Sequence, residues 1–342
     1  MEETLRTMMY LSAGLFMGWS LGANDAANIF GTAVTTRMVR FNTAALIMAV
    51  MVTLGAVISG AGPTATLGAL GTIDLLEEAF LVSLTAAGTV MLMTSRGLPV
   101  STSQSIVGAI VGWNLHAEQA VNWELLTKIA GTWFFAPVLG AIFAALFYGI
   151  MREFQKRSSI HILQMDRLLR MALVTAGAFG AYSLGANNMA NVMGIFVHNP
   201  VLRGLNLGSV GFLSIQQWLF LLGGLAVSVG VFTYSHRVMK TIGSGIYQLT
   251  PPAALIVVLA SATVLFLFAS QGLKDLLTTA GLPSLPLVPV SQSQTVVGAV
   301  IGIGLVRGGR NINLRILASI AVGWILTPLL SMILAFFLLS FA

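Results

Sequence analysis

Two twelve-residue segments, SLGANDAANIFG from Ser20 to Gly31 and SLGANNMANVMG from Ser183 to Gly194, agree at eight positions. Each lies inside an apolar run long enough to cross a bilayer. A second pair, PVSTSQSIVGAIVG (Pro99 to Gly112) and PVSQSQTVVGAVIG (Pro289 to Gly302), agrees at nine of fourteen positions, and Trp133 and Pro137 recur as Trp324 and Pro328. The pairs keep the same order in both halves, so the chain reads as a tandem duplication. Two copies of one fold, each with polar groups in the middle of apolar segments, leave few architectures open.

Of the 342 residues, 56% are hydrophobic and 8% charged, against about 25% charged in a soluble globular domain. This composition predicts an all-α polytopic membrane protein. Apolar runs near 5–35, 42–62, 79–95, 97–113, 126–150, 168–197, 212–234, 251–270, 288–306 and 316–341 suit helices crossing about 30 Å of hydrocarbon, so about ten crossings are expected. The first run has polar groups at its centre and no small-residue cleavage site, so it reads as a retained span. The net charge of +6 would suit nucleic acid in a soluble chain, but the basic residues sit in short loops between spans, so no nucleic-acid partner is expected. There are no cysteines, which excludes disulfides and thiolate chemistry.

Threading the runs with residues 36–41 inside puts 13 of the 17 Lys and Arg inside, among them Arg37, Arg40, Arg96, Arg152, Arg237, Lys240, Arg307 and Arg310. Arg6, Lys128, Arg203 and Lys274 remain outside, together with most of the acidic residues. The bias predicts an outside N-terminus. Five crossings per half then make the second copy enter from the opposite side, which is an inverted-topology repeat. The expected units are 1–150, a basic cytoplasmic linker 151–167, and 168–342. Such repeats belong to secondary transporters, with sites near the midplane at the repeat interface.

In the first motif Asn24 and Asn28, and Asn187 and Asn191, stand at i and i+4 on one helical face. The neighbouring glycines and the length of the runs predict a break there, whose freed carbonyls would join the amides around a hard monovalent cation. Isolated membrane Asn residues usually serve as helix glue worth about 0.6 kcal/mol; duplicated faces with a carboxylate argue for a site. Asp25 is the only ionisable residue placed well within a span, and its counterpart in the second copy is the neutral Asn188. A central carboxylate costs roughly 2.5 to 3.5 kcal/mol, so it calls for a bound cation or a proton, and the amide and hydroxyl neighbours favour sodium.

In the second motif Pro99 with Ser101, Thr102 and Ser103, and Pro289 with Ser291 and Ser293, read as capped helix starts. Helix starts offer unpaired N–H groups and about half a positive charge. Two of them facing each other, with Gln104, Ser105, Gln294 and Thr295 as further donors, would hold an oxyanion. A multiply charged anion there still needs compensation, which cations on the Asn and Asp groups supply. Mutual enhancement of binding is the physical basis of symport. Enzyme chemistry is not expected, because His116, His161, His198 and His236 fall near loops or span ends and do not cluster.

The G-A-N-D-x-A-N and G-A-N-N-x-A-N segments and the paired P-V-S-x-S-Q segments resemble the PiT family of inorganic phosphate transporters, over essentially the whole chain. The resemblance implies import of inorganic phosphate by sodium symport through alternating access, with protons in some members, in a multi-pass protein of the cell membrane that forms a homodimer. It implies 10 to 12 transmembrane helices, with broken or re-entrant helices at the Ser/Gln motifs. Phosphate then falls to Ser101, Thr102, Ser103, Gln104, Ser105, Ser291, Ser293, Gln294 and Thr295, with Asp25 and Asn188. Sodium falls to Asn24, Asp25, Asn28, Asn187, Asn188, Asn191, Ser103 and Ser293. No cofactor beyond the co-transported sodium is implied. The alternative is a proton-coupled phosphate or sulfate permease. The short 151–167 loop lacks the large insert of some eukaryotic members, which marks a compact prokaryotic type.

Overall fold

The computed structural model describes residues 2–96, 100–204, 213–239, 249–308 and 314–338. The predicted helix-starting Pro99 and the basic residues Lys240 and Arg310 lie outside them. The described residues are helical with connecting turns and extended segments and hold no strand. In chain order the helices used below are α1 (Glu2–Thr35), α2 (Phe41–Ser59), α3 (Ala61–Gly68), α4 (Leu76–Ser95), α5 (Thr102–His116), α6 (Trp123–Arg157), α7 (Ile162–Val197), α8 (Pro200–Gly204), α9 (Ile215–Thr233), α10 (Pro251–Leu267), α11 (Gln271–Thr279), α12 (Gln292–Val306) and α13 (Leu314–Leu338).

All ten apolar runs form helices, but not ten equal ones. Among the described residues six helices are long and apolar enough to cross a membrane, or seven if α10 and α11, bent by 66° at their junction, form one broken span. The runs carrying the Ser/Gln motifs yield α5 and α12 of 15 residues each, about 22 Å of helix and short of the hydrocarbon thickness. Each follows an extended approach, through Val100 and Ser101 or through residues 282–291. The linker region is mostly helical: α6 and α7 extend to Arg157 and from Ile162. Their ends carry the i,i+4 pairs Arg157–Glu153 and Arg170–Asp166, which support exposed helix.

The break expected in the first motif is absent: α1 and α7 run unbroken through it, 34 and 36 residues long. Gly22 and Gly185 serve close helix crossing instead. A Cβ at Gly22 would overlap the Val227 carbonyl of α9, and one at Gly230 of α9 would overlap the Trp19 carbonyl of α1. The same reciprocal seam joins α7 and α2, where Gly185 faces the Val52 carbonyl and Gly55 the Tyr182 carbonyl. In membranes, where lipid is as apolar as Leu, such small-residue seams are what lets backbones approach.

The glycines of the second motif form two more seams. Gly108 and Gly112 of α5 lie against the carbonyls of Pro328 and Met332 in α13, and Gly298 and Gly302 of α12 against those of Pro137 and Ala141 in α6. All four seams join an element of the first half of the sequence to one of the second. The centre of the fold is thereby clamped from both halves.

Candidate functional site

The clamped centre holds the two Ser/Gln helix starts and the two Asn motifs together. Ser101 caps α5, its side chain accepting from Gln104 N at 3.2 Å, and Ser291 caps α12, accepting from Gln294 N at 3.3 Å. This is the predicted N-cap chemistry, and a helix start leaves further first-turn N–H groups without an intrahelical partner.

The helix starts touch reciprocally. Ser293 Oγ donates to the Val100 carbonyl at 3.0 Å, and Ser103 Oγ lies 3.3 Å from the Val290 carbonyl and 3.2 Å from Asn188 Oδ1. A hydroxyl has one proton, so Ser103 donates to one of these acceptors at a time. Asn191 Nδ2 donates to Ser103 Oγ and to Asn188 Oδ1, both at 2.8 Å.

Each extended approach is held by one Asn of the first motif. Asn24 Nδ2 donates to the Val100 carbonyl at 3.1 Å, and its Oδ1 accepts from Thr94 at 3.3 Å. Asn187 grips the other approach from both sides: Nδ2 donates to the Val288 carbonyl at 3.0 Å while Oδ1 accepts from Val290 N at 2.6 Å. Extended backbone inside a bilayer is tolerated only where protein or water meets its polar groups, and these two amides meet that need.

Asp25 is buried and receives Asn24 Nδ2 at 2.9 Å, Asn28 Nδ2 at 3.2 Å and Thr102 Oγ1 at 3.4 Å. Among the described residues no cationic side chain pairs with it. The amides and the hydroxyl around Asp25 direct donors at its carboxylate, and a single carboxylate is fewer than calcium or magnesium sites gather.

Not every predicted residue reaches the junction through a hydrogen bond. Ser105 Oγ is 2.9 Å from the Ala86 carbonyl and 3.3 Å from Ser331 Oγ, and Thr295 donates to the Ser291 carbonyl of its own helix at 2.8 Å. Asn28 is half-buried and reaches the site through Asp25. The motif reading missed the Val100, Val288 and Val290 backbone and Thr94. Backbone groups carry no side-chain signature, and the one available sign was the repeated Pro-Val before each Ser. Buried polar atoms without a partner among the described residues also gather here: Gln104 Oε1, Asn188 Nδ2, Asn191 Oδ1, Gln292 Oε1 and Gln294 Oε1. Such atoms are rare in folded proteins and call for a ligand or water. Beyond Leu287 and Val288 opens a cleft of about 560 Å³, also lined by Thr66, Lys128, Ser270 and Lys274.

The phosphate transporter family profile matches residues 21–335, which takes in both Asn motifs and both helix starts. The chain belongs to the phosphate transporter family. A phosphate permease of Pyrococcus horikoshii is 28% identical to this transporter, with 94% of this chain and 93% of that one aligned. A phosphate permease of Haemophilus influenzae is 27% identical, over 92% of this chain and 91% of its own. The chloroplastic inorganic phosphate transporter 2-1 of Arabidopsis thaliana is 26% identical, and the alignment covers 96% of this chain and 70% of the plant protein. In fold, the transporter is similar to a solved structure described as the sodium-dependent phosphate transporter, with a TM-score of 0.76 at 24% identity, covering 98% of this chain and 99% of that one.

Proposed function

We propose that this membrane transporter imports inorganic phosphate together with sodium across the cell membrane, by alternating access of two inverted repeats around the central junction. The observation that carries this reading is the reciprocal contact of the two helix starts, Ser293 to Val100 and Ser103 to Val290. Two N-termini brought face to face supply N–H groups and positive dipole ends to one volume, which suits an oxyanion with no Arg or Lys beside it.

Phosphate in that volume is held by Ser101, Thr102, Ser103, Gln104, Ser291, Ser293 and Gln294, with Asp25 and Asn188 at its edge. Ser105 and Thr295 act by fixing the first turns. Sodium is held by Asn24, Asp25, Asn28, Asn187, Asn188 and Asn191, with the Ser103 and Ser293 hydroxyls shared between cation and anion. Phosphate carries up to two charges at neutral pH, and in a low dielectric its cost falls when cations bind nearby. By linkage sodium raises phosphate affinity, and phosphate raises sodium affinity by the same factor. The cleft beyond Val288 offers the anion a route from the outer side. The working unit is a homodimer, each protomer holding its own junction.

Uptake of labelled phosphate into proteoliposomes under an inward sodium gradient, a proton gradient or neither tests the reading. Sodium-driven uptake that excess sulfate leaves unchanged supports it. Uptake driven by the proton gradient alone makes Asp25 a proton carrier, and sulfate-sensitive uptake makes the substrate a wider class of oxyanion.

A further inference from the structure

The first motif begins with a serine in both copies, one turn before the Asn that holds the extended approach. Ser20 and Ser183 are buried, and neither Oγ has a hydrogen-bond partner among the described residues. A membrane serine normally returns its proton to the carbonyl four residues back; Ser228, Ser235 and Thr89 do so. Ser83 of α4 lacks a partner too, but only Ser20 and Ser183 do so at matching motif positions, and that repetition is the observation to be explained.

Ser20, Asn24 and Asn28 stand at i, i+4 and i+8, as do Ser183, Asn187 and Asn191, so each helix bears a stripe of three polar groups on one face. The direction of the stripe matters. α1 and α4 run parallel, since Tyr10 meets Glu77 and Asn24 meets Thr94, and α5 returns antiparallel, since Ser105 reaches Ala86. Passing from Asn24 to Ser20 is therefore passing along α5 from Val100 into its first turn, to the level of Gln104. On the other side Asn187 meets Leu265 and Val288, while Gly180 packs beside Val258 and Ala262. Ser183 thus lies toward the first turn of α12, where Gln294 stands. Gln104 Oε1 and Gln294 Oε1 are themselves buried without partners.

We propose that Ser20 and Ser183 are cation ligands, each hydroxyl joining the glutamine oxygen at its level, Gln104 or Gln294, in an oxygen cluster for a monovalent cation. The proposal rests on the sodium-coupled reading above and adds a turn of ligands to each Asn stripe. Each serine oxygen and each glutamine Oε1 keeps lone pairs that meet no donor among the described residues, and a cation between them would accept both. Neutral oxygens in this number suit a weakly held monovalent ion that must also leave.

The test is thermal unfolding of the purified full-length transporter against sodium chloride, with choline chloride holding ionic strength constant. Ser20→Ala and Ser183→Ala remove a hydroxyl that has no partner, so the melting temperature without sodium stays level or rises. The sodium concentration for half-maximal stabilisation rises about tenfold, as expected for loss of one oxygen contact to a charge. Ser20→Thr, which keeps the hydroxyl, restores the wild-type sodium response. An unchanged sodium response in both alanine variants, or equal loss of stability with and without sodium, overturns the assignment while leaving sodium coupling standing. A wild type that phosphate stabilises and sodium does not overturns both.

Discussion

Ser293 of α12 donates to the carbonyl of Val100, the residue just ahead of the α5 cap, at 3.0 Å. Ser103 of α5 stands in the mirrored relation to Val290 at 3.3 Å. Each serine thereby ties its own helix start to the backbone just ahead of the other.

Ser103→Ala and Ser293→Ala should each weaken phosphate binding at fixed sodium by about tenfold, the loss of one hydrogen bond to a charged group at about 1.5 kcal/mol. Calorimetric titration of phosphate into purified protein at saturating sodium checks this. Ser103→Ala should cost more, because Asn191 Nδ2 then loses an acceptor as well.

Asp25→Asn keeps the shape of the side chain and removes the one ionisable group that the described residues bring to the junction. Phosphate binding should become insensitive to sodium over a range where the wild type responds steeply. Phosphate titrations at several sodium concentrations give the slope. A slope equal to that of the wild type would place the coupled cation elsewhere.

Asn187→Ala should be more damaging to folding than Asn24→Ala. Asn187 meets both a buried N–H and a buried carbonyl of the 288–290 approach, at 2.6 and 3.0 Å, whereas Asn24 meets one carbonyl. Leaving a buried backbone group unpaired costs about 1–3 kcal/mol. Yield of monodisperse protein and melting temperature would rank the two.

Gly298→Ala should destabilise by about 1–3 kcal/mol through overpacking, since its Cβ would meet the Pro137 backbone. Gly149→Ala in α6 is the matched control. A Cβ there meets nothing within 4 Å, and alanine should stabilise the helix by about 0.5–1 kcal/mol.

Lys128 and Lys274 line the cleft beyond Val288. Replacing both with Gln should raise the phosphate KM for uptake at low ionic strength and leave the maximal rate unchanged, with the difference shrinking as salt is added. Initial rates at two salt concentrations measure it.

Much of this arrangement is legible in the residues. The duplicated Pro-Val-Ser segments announce two capped helix starts, and Ser101 and Ser291 act as those caps. The Asn faces announce the polar centre, and Asn24 and Asn187 stand there. The predicted break in α1 and α7 does not occur because glycine has two uses in membranes, loosening a helix and letting another approach, and sequence spacing does not separate them. Gly22 and Gly185 take the second. The carbonyls of Val100 and Val288 were illegible because every residue has a carbonyl, and only tertiary structure decides which ones face a site. Ser105 and Thr295 carry the right chemistry in the right segment, but their hydroxyls are spent on Ala86 and Ser291.

The four glycine seams also constrain how the protein is made. As α1, α2, α5 and α6 leave the ribosome, the partners of their seams, α9, α7, α13 and α12, are not yet synthesised. The early helices wait in the bilayer with their glycine faces against lipid. The junction closes only after the last helix arrives. Insertion is therefore separated in time from packing, and a chain truncated at the linker carries every seam half-made.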